Sequence, residues 1–247
     1  MRLVTTDAIV LRTYNLAESD RIVVCLTRAA GLVRGVAKGA RRMKSRFGAA
    51  LEPFTIIRLS FHERENRDLV AISGAEILRS HFNVSSRVEA GEVFAYMGEL
   101  VAEFAPPHEA DERLFRMVTA CVDALSDTPG VERAITRYFE IWLLRLAGLF
   151  PDLRSCHNCG AVLEDSDTGY LDSDLTARCS ECRPQRGSFL EAPVIAMVRA
   201  SQILSPQRFA EKYSLSEPQD DELRDVTHRL ISRAIERRPR TLVASTR

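Results

Sequence analysis

The sequence predicts an α+β fold: a five-stranded β-barrel, then an α-helical domain with a four-cysteine ribbon inserted in it. Three observations carry this. Short runs rich in β-branched residues fill the first 80 residues. Apolar residues then recur at helical spacing from residue 88. Two Cys-x-x-Cys pairs follow in a polar, turn-rich stretch.

The strand runs are Ala8–Leu11, Ile22–Leu26, Leu32–Val36, Phe54–Phe61 and Leu69–Ile72. Gly31 and the run Glu63–Asp68 supply turns between them. A long basic connection follows the third strand. That order suits a small closed or nearly closed barrel, and the oligonucleotide-binding (OB) fold is the commonest five-stranded version that handles nucleic acid. The barrel is assigned to residues 1–81 and the helical domain to 82–247, with the ribbon at about 151–185.

Ser86-Arg87-Val88-Glu89 fits a capping box at the start of the first long helix. Val93, Met97, Leu100, Val101 and Phe104 follow helical spacing, and Pro106-Pro107 stops the helix. Leu114, Val118, Cys121, Val122 and Leu125 mark a second helix. Ile135, Tyr138, Phe139, Trp142, Leu143 and Leu146 mark a third, closed by Gly148. Val194, Ile195 and Val198 resume the pattern, and Leu223, Val226, Leu230 and Ile231 mark a last helix. These stripes read as core, and Cys121 and Cys25 as small buried hydrophobes.

Composition narrows the class. At 247 residues, 45% hydrophobic and 28% charged, the chain buries a core without disulfides. No window has the apolar length of a bilayer span, and the N-terminus lacks a signal peptide's apolar stretch. The expected location is the cytoplasm, with no membrane partner. Lys+Arg and Asp+Glu balance at 34 each. Residues 1–81 nevertheless carry 14 cations against 8 acids, and residues 82–247 carry 20 against 26. Between Asp20 and Glu52 there is no acidic residue, and eight cations: Arg21, Arg28, Arg34, Lys38, Arg41, Arg42, Lys44 and Arg46. Such a field attracts polyanions, so nucleic-acid contact is expected.

The cysteines carry the sharpest chemistry. Cys156-His157-Asn158-Cys159 is followed after 19 residues by Cys179-Ser180-Glu181-Cys182. Each pair on a tight turn points two sulfurs inward, and two such turns complete a tetrahedron. Four thiolates suit Zn(II) and leave no open position, so one structural, non-catalytic zinc is expected. Disulfides are the competing reading, and a reducing compartment argues against them. His157 is redundant beside four cysteines. Gly169-Tyr170-Leu171 reads as a ribbon strand.

Catalytic constellations are missing. There is no G-x-x-x-x-G-K-[ST], no G-x-S-x-G and no H-E-x-x-H. The acidic pairs Glu164-Asp165 and Asp220-Asp221 read as solvated. A nuclease wants carboxylates converging on a basic cleft, and the basic segment contains none. The chain is therefore expected not to be an enzyme.

The run from Arg34-Gly35-Val36-Ala37-Lys38-Gly39-Ala40-Arg41-Arg42 through Lys44-Ser45-Arg46-Phe47-Gly48 to Pro53-Phe54 closely resembles the signature of the bacterial recombination-mediator family RecO. Asp7–Arg12, Glu18–Arg21, Arg137-Tyr138-Phe139-Glu140 with Leu143-Leu144, and Pro151-Asp152-Leu153 look like the same family. Arg237–Leu242 resembles its basic C-terminal segment. The resemblance implies an OB domain, a helical domain and a zinc ribbon. It implies binding of single- and double-stranded DNA and annealing of complementary strands. It also implies action on DNA coated by single-stranded-DNA-binding protein (SSB), and help from RecR in loading RecA. Such a protein needs no nucleotide cofactor and sits at the nucleoid.

The residues make physical sense of that role. Arg34, Lys38, Arg41, Arg42, Lys44 and Arg46 can neutralise backbone phosphates without sequence preference. Phe47 either stacks on a base or packs under the loop. Gly35, Gly39 and Gly48 are expected to let the loop bend close to DNA. In the family the SSB tail, acidic with an apolar end, enters a pocket on the helical domain. Arg137, Tyr138 and Leu144 with Arg233, Arg237 and Arg238 are the candidates for it, although Tyr138 and Leu144 also fit helix core. The competing class is a zinc-ribbon adaptor that binds RNA or a transcription partner.

Overall fold

The computed structural model describes residues 2–63, 69–85, 87–164 and 168–241. The chain divides into two compact units, residues 1–126 with 240–247, and residues 127–239.

The first unit opens with five strands, β1 (Arg2–Leu16), β2 (Asp20–Thr27), β3 (Gly31–Ala37), β4 (Ile56–Glu63) and β5 (Val70–Arg79). They close into a barrel in the order β1-β2-β3-β5-β4. All pairs are antiparallel except β3 with β5. That parallel pair is only Gly35 against Val70 and Val36 against Ala71. A Cβ on Gly35 would stand 2.7 Å from the Ile72 side chain and 2.9 Å from that of Val70. Gly35 therefore closes the barrel; it is not a hinge of the basic loop. Alternating inward residues, among them Val10, Val23, Val33, Leu59, Phe61 and Ile72, fill the interior.

Every predicted strand exists, but β1 and β5 run further than their apolar cores. β1 extends to Leu16 because its outer half still pairs with β2, through Tyr14 with Ile22 and Leu16 with Asp20. On β1, β4 pairs with Arg2–Ile9, and the hydrogen bonds of Val10 with Thr55 and Phe54 end that contact. Past Val10 one side of β1 thus leaves the barrel wall.

Helices α1 (Phe82–Ser85), α2 (Val88–Phe104) and α3 (Glu112–Asp127) follow. The N-cap of α2 is Arg87; Ser86, the expected cap, lies outside the described residues. α2 covers the gap beside β1. A Cβ on Gly98 would lie 3.2 Å from the Leu11 carbonyl oxygen and 3.3 Å from Phe54, so glycine sets how near the helix comes. Phe94 stacks on Phe54 with centroids 4.4 Å apart and planes 18° apart. Buried His81 ties α3 in, with Nδ1 2.9 Å from the Phe54 carbonyl and Nε2 3.1 Å from Asp123. The compact unit consequently takes in α2 and α3.

In the second unit α4 (Glu132–Leu146) is the central helix, buried from Ala134 to Ile141. It packs against α6 (Pro206–Lys212) and α7 (Glu217–Ala234), with α5 (Ala192–Ala200) alongside α7. Tyr138 touches Phe209 at 5.3 Å between ring centres, and its hydroxyl donates to the Leu204 carbonyl at 2.9 Å. Between α4 and α5 lies a small sheet of β6 (Gly169–Leu171), β7 (Ala177–Arg178) and β8 (Ser188–Leu190), in the order β7-β6-β8. β6 is the strand expected at Gly169-Tyr170-Leu171. No helix among the described residues is long and apolar enough to cross a membrane.

Candidate nucleic-acid interface and metal centre

The segment between β3 and β4 is a chain of turns. Arg42 N–H bonds the Gly39 carbonyl at 3.1 Å, Ser45 N–H that of Arg42 at 2.9 Å, and Ala50 N–H that of Phe47 at 2.9 Å. Gly39 takes a φ of +72°, which its lack of a side chain permits. The base of the segment is fastened to the β1–β2 turn. Asp20 Oδ1 accepts from Gly39 N–H at 2.8 Å, Arg41 N–H donates to the Ser19 carbonyl at 2.9 Å, and Arg41 Nη1 to the Ala17 carbonyl at 3.1 Å. The Gly39 N–H, then the Ser19 hydroxyl, hold the Asp20 carboxyl below the ordinary carboxylate range, and the charges of Lys38 and Arg42 add to this.

The eight cations divide into two sets. Arg21 pairs with Glu52 at 3.1 Å, and Arg28 with Glu112. Among the described residues, Arg34, Lys38, Arg41, Arg42, Lys44 and Arg46 form no salt bridge, and all six are exposed. A cluster of unpaired cations repels itself unless an anion joins it. Met43, at the tip, is fully exposed among them.

Phe47 is corrected. It is 2% exposed and sits in the barrel's apolar cluster with Ala50, Leu51 and Val33, so it cannot stack on a base. Its ring instead carries Arg46, whose guanidinium carbon lies 4.9 Å from the ring centre. Truncating such a core phenylalanine costs about 3–5 kcal/mol.

The metal-ligating set assembles as expected. Cys156, Cys159, Cys179 and Cys182 bring their sulfurs within 4.8 Å of one another. Sulfurs about 2.3 Å from a central ion are about 3.8 Å apart in a tetrahedron. Cys159 and Cys179 are 3.7 Å apart, so the residues fit a four-coordinate ion. Each pair lies on a tight turn, with Gly160 N–H on the Cys156 carbonyl at 2.9 Å and Cys182 N–H on that of Cys179 at 3.2 Å. Asn158 Nδ2 donates to Cys182 Sγ at 3.3 Å. The Cys159 N–H, with those of Cys179 and Asn158, draws the Cys156 thiol down to about 6, toward the thiolate that metals bind. His157 is exposed and outside the set. Cys25 is buried and pushed up to about 12 by desolvation, as an inert core thiol would be.

The partner-binding candidates do not form one pocket. Arg137, Tyr138 and Leu144 are 6%, 4% and 0% exposed. Arg137 lies 2.6 Å from Glu140 and 3.0 Å from Asp220, and Thr227 donates to Glu140 at 2.7 Å. Asp220, expected to be solvated, is therefore a buried counter-ion; Asp165 lies outside the described residues. Arg233 and Arg238 are exposed and Arg237 half-buried. They cannot share an open pocket with side chains of the helix core. A different cleft in this unit, of about 280 Å³, is not anticipated by the sequence; its lining includes Arg145, Phe150, Asp152, Arg154, Arg199 and Gln202. Arg145 lies 5.1 Å over the Phe150 ring, and desolvation lowers it to about 10. The signal in the sequence was Phe150-Pro151 between two arginines.

Two family models match the chain. "Recombination protein O N terminal" covers residues 1–81 and "Recombination protein O C terminal" residues 91–242. The "DNA repair protein RecO" of Koribacter versatilis is 36% identical over 65% of this chain and 65% of its own. That of Anaeromyxobacter sp. (strain K) is 34% identical over 74% of this chain and 72% of its own. The Geobacter metallireducens protein is 32% identical over 87% and 90%. Basic barrel, helical region and cysteine cluster thus occur together in a chain that belongs to the RecO family of DNA repair and recombination proteins.

Proposed function

We propose that the protein is a non-enzymatic recombination mediator that binds single- and double-stranded DNA and anneals complementary strands. One observation carries this: six exposed cations, Arg34 on β3 and five on the fastened segment that follows it, form no salt bridge among the described residues. Backbone phosphates are the anions such a set would neutralise without sequence preference, and neutralising them lowers the repulsion between two strands. Base pairing then drives annealing, so the step needs neither nucleotide nor catalytic group. The barrel is read as an OB fold on its strand order and on the loop that leaves β3. Among the described residues, the only clustered metal-ligating set is the four cysteines, which favours binding over metal-dependent cleavage.

The cysteine set is assigned one structural Zn(II). The ion would tie the two turns together and leave no open position for chemistry. The working location is the cytoplasm, at the nucleoid. There the protein is proposed to engage SSB-coated DNA and, with RecR, to promote RecA loading. The acidic, apolar-ended SSB tail is proposed to enter the Arg145–Phe150 cleft, where Arg145 and Arg199 stand beside Phe150 and Leu153, and where Asp152 is already paired with Arg154 at 2.9 Å. An RNA or transcription adaptor is the competing reading.

Salt dependence tests the proposal. Arg41→Ala with Arg42→Ala should flatten the log–log salt slope for single-stranded DNA by about 0.7 for each phosphate no longer neutralised. An unchanged slope, or a preference for RNA over DNA of the same sequence, contradicts it.

A further inference from the structure

Between the outer half of β1 and helix α2 lies a pocket of about 470 Å³, within the first unit. Its size falls in the usual range for small-ligand sites, about 300–1,000 Å³. It exists because β4 stops pairing at Ile9 while β1 continues to Leu16. Its floor is the stacked pair Phe54 and Phe94, both 2% exposed. Its mouth carries two large exposed rings, Tyr14 at 49% and Phe82 at 62%. Tyr14 and Phe82 thus present aromatic surface at the entrance of an apolar hole, the arrangement that receives a flat ligand.

The polar atoms around it also point to a ligand. Arg12 lines the pocket, and its Nε is buried with no hydrogen-bond partner among the described residues. The two carboxylates on the wall are neutralised or engaged. Glu52 pairs with Arg21, and Glu99 accepts from the N–H groups of Arg240 and Thr241 at 2.8 and 2.9 Å. The basic loop is moored near the end of this wall: Arg41 Nη1 bonds the carbonyl of Ala17, on the turn that follows β1 and three residues beyond Tyr14.

We infer that this pocket holds an unstacked base of single-stranded DNA while the backbone runs onto the loop cations. The inference rests on the DNA-binding reading and deepens it. A base supplies a flat π-face for Tyr14 or Phe82 and hydrogen-bonding edges for Arg12 and Thr13. A paired base inside a duplex cannot enter. The pocket thus gives preference for single strands, which charge alone does not.

The test compares four DNAs on the full-length protein and on Tyr14→Ala, Phe82→Ala and Tyr14→Phe. These are a single strand, the same strand with several abasic sites, its duplex, and the strand carrying 2-aminopurine. The expected results are about tenfold weaker single-strand binding for each alanine variant, unchanged duplex binding and an unchanged salt slope. The native protein should bind the abasic strand about tenfold more weakly than the intact one, and the alanine variants should lose that difference. Tyr14→Phe should retain the native behaviour. The 2-aminopurine signal should change on binding to the native protein and not to the variants. Native discrimination in both alanine variants overturns the pocket and leaves the DNA reading standing. Failure of the native protein to bind either strand form refutes both.

Discussion

Asp20 Oδ1 accepts a 2.8 Å hydrogen bond from the Gly39 N–H, and this bond fixes where the cationic loop leaves the barrel. The only carboxylate between residues 19 and 51 is thus used as an anchor. It sits at the base of the loop and lowers the local repulsion among Lys38 and Arg42.

Two substitutions at Asp20 separate anchor from charge. Asp20→Asn keeps an oxygen acceptor for Gly39 and removes an anion, so DNA affinity should rise about twofold to fivefold. Asp20→Ala removes both, and the freed loop should bind more weakly than the Asn variant. The pH dependence follows from the lowered carboxyl. The anchor is complete above the ordinary aspartate range, about pH 4, and is lost as pH falls through the depressed value. The protection factor of the Gly39 amide, its exchange rate relative to the intrinsic rate at the same pH, should hold at neutral pH and fall only in acid. Loss of protection near neutrality would contradict this.

Arg137 is expected to act on stability. It is the buried cation between Glu140 and Asp220, so Arg137→Ala leaves two buried carboxylates without it. The unfolding free energy should fall by about 3–5 kcal/mol. Chemical denaturation gives this directly. A folded variant of native stability that has lost only SSB-tail binding would return Arg137 to the partner site.

Cys179→Ser should lower bound zinc from one per chain to a weakly held fraction and destabilise residues 151–190. DNA binding by the loop cations should change by less than about twofold, because the cysteine set belongs to the other compact unit. Metal analysis, thermal denaturation and a DNA titration on one preparation check all three. A metal-free native protein with intact thiols would sink the zinc assignment.

Much of the fold was legible because its signals are local. Val23, Cys25 and Val33 alternate or cluster as barrel strands do, and all three are buried. The four cysteines could be assembled from spacing alone, since a Cys-x-x-Cys turn fixes two sulfurs at once. Ser205-Pro206 announces α6, where the Ser205 hydroxyl caps Arg208 N–H at 3.4 Å, but the helix is too short to show periodicity. Other features needed long-range information. Phe47 lies in a basic run, and only its packing against Leu51 and Val33 reveals that it is core. Arg137 and Asp220 are 83 positions apart in the sequence, and each looks solvated until the helices bring them to 3.0 Å. Gly35 reads as a loop glycine until the parallel register with Val70 shows the close approach.

The central claim is that the loop cations bring two DNA strands together. The most direct measurement is annealing of two complementary labelled single strands without nucleotide, bare and SSB-coated, by the native protein and by Arg41→Ala with Arg42→Ala. The account predicts acceleration on both substrates by the native protein, and about tenfold slower annealing by the double variant at physiological salt. Folded, zinc-loaded protein that accelerates neither, or a double variant that anneals at the native rate, would contradict it.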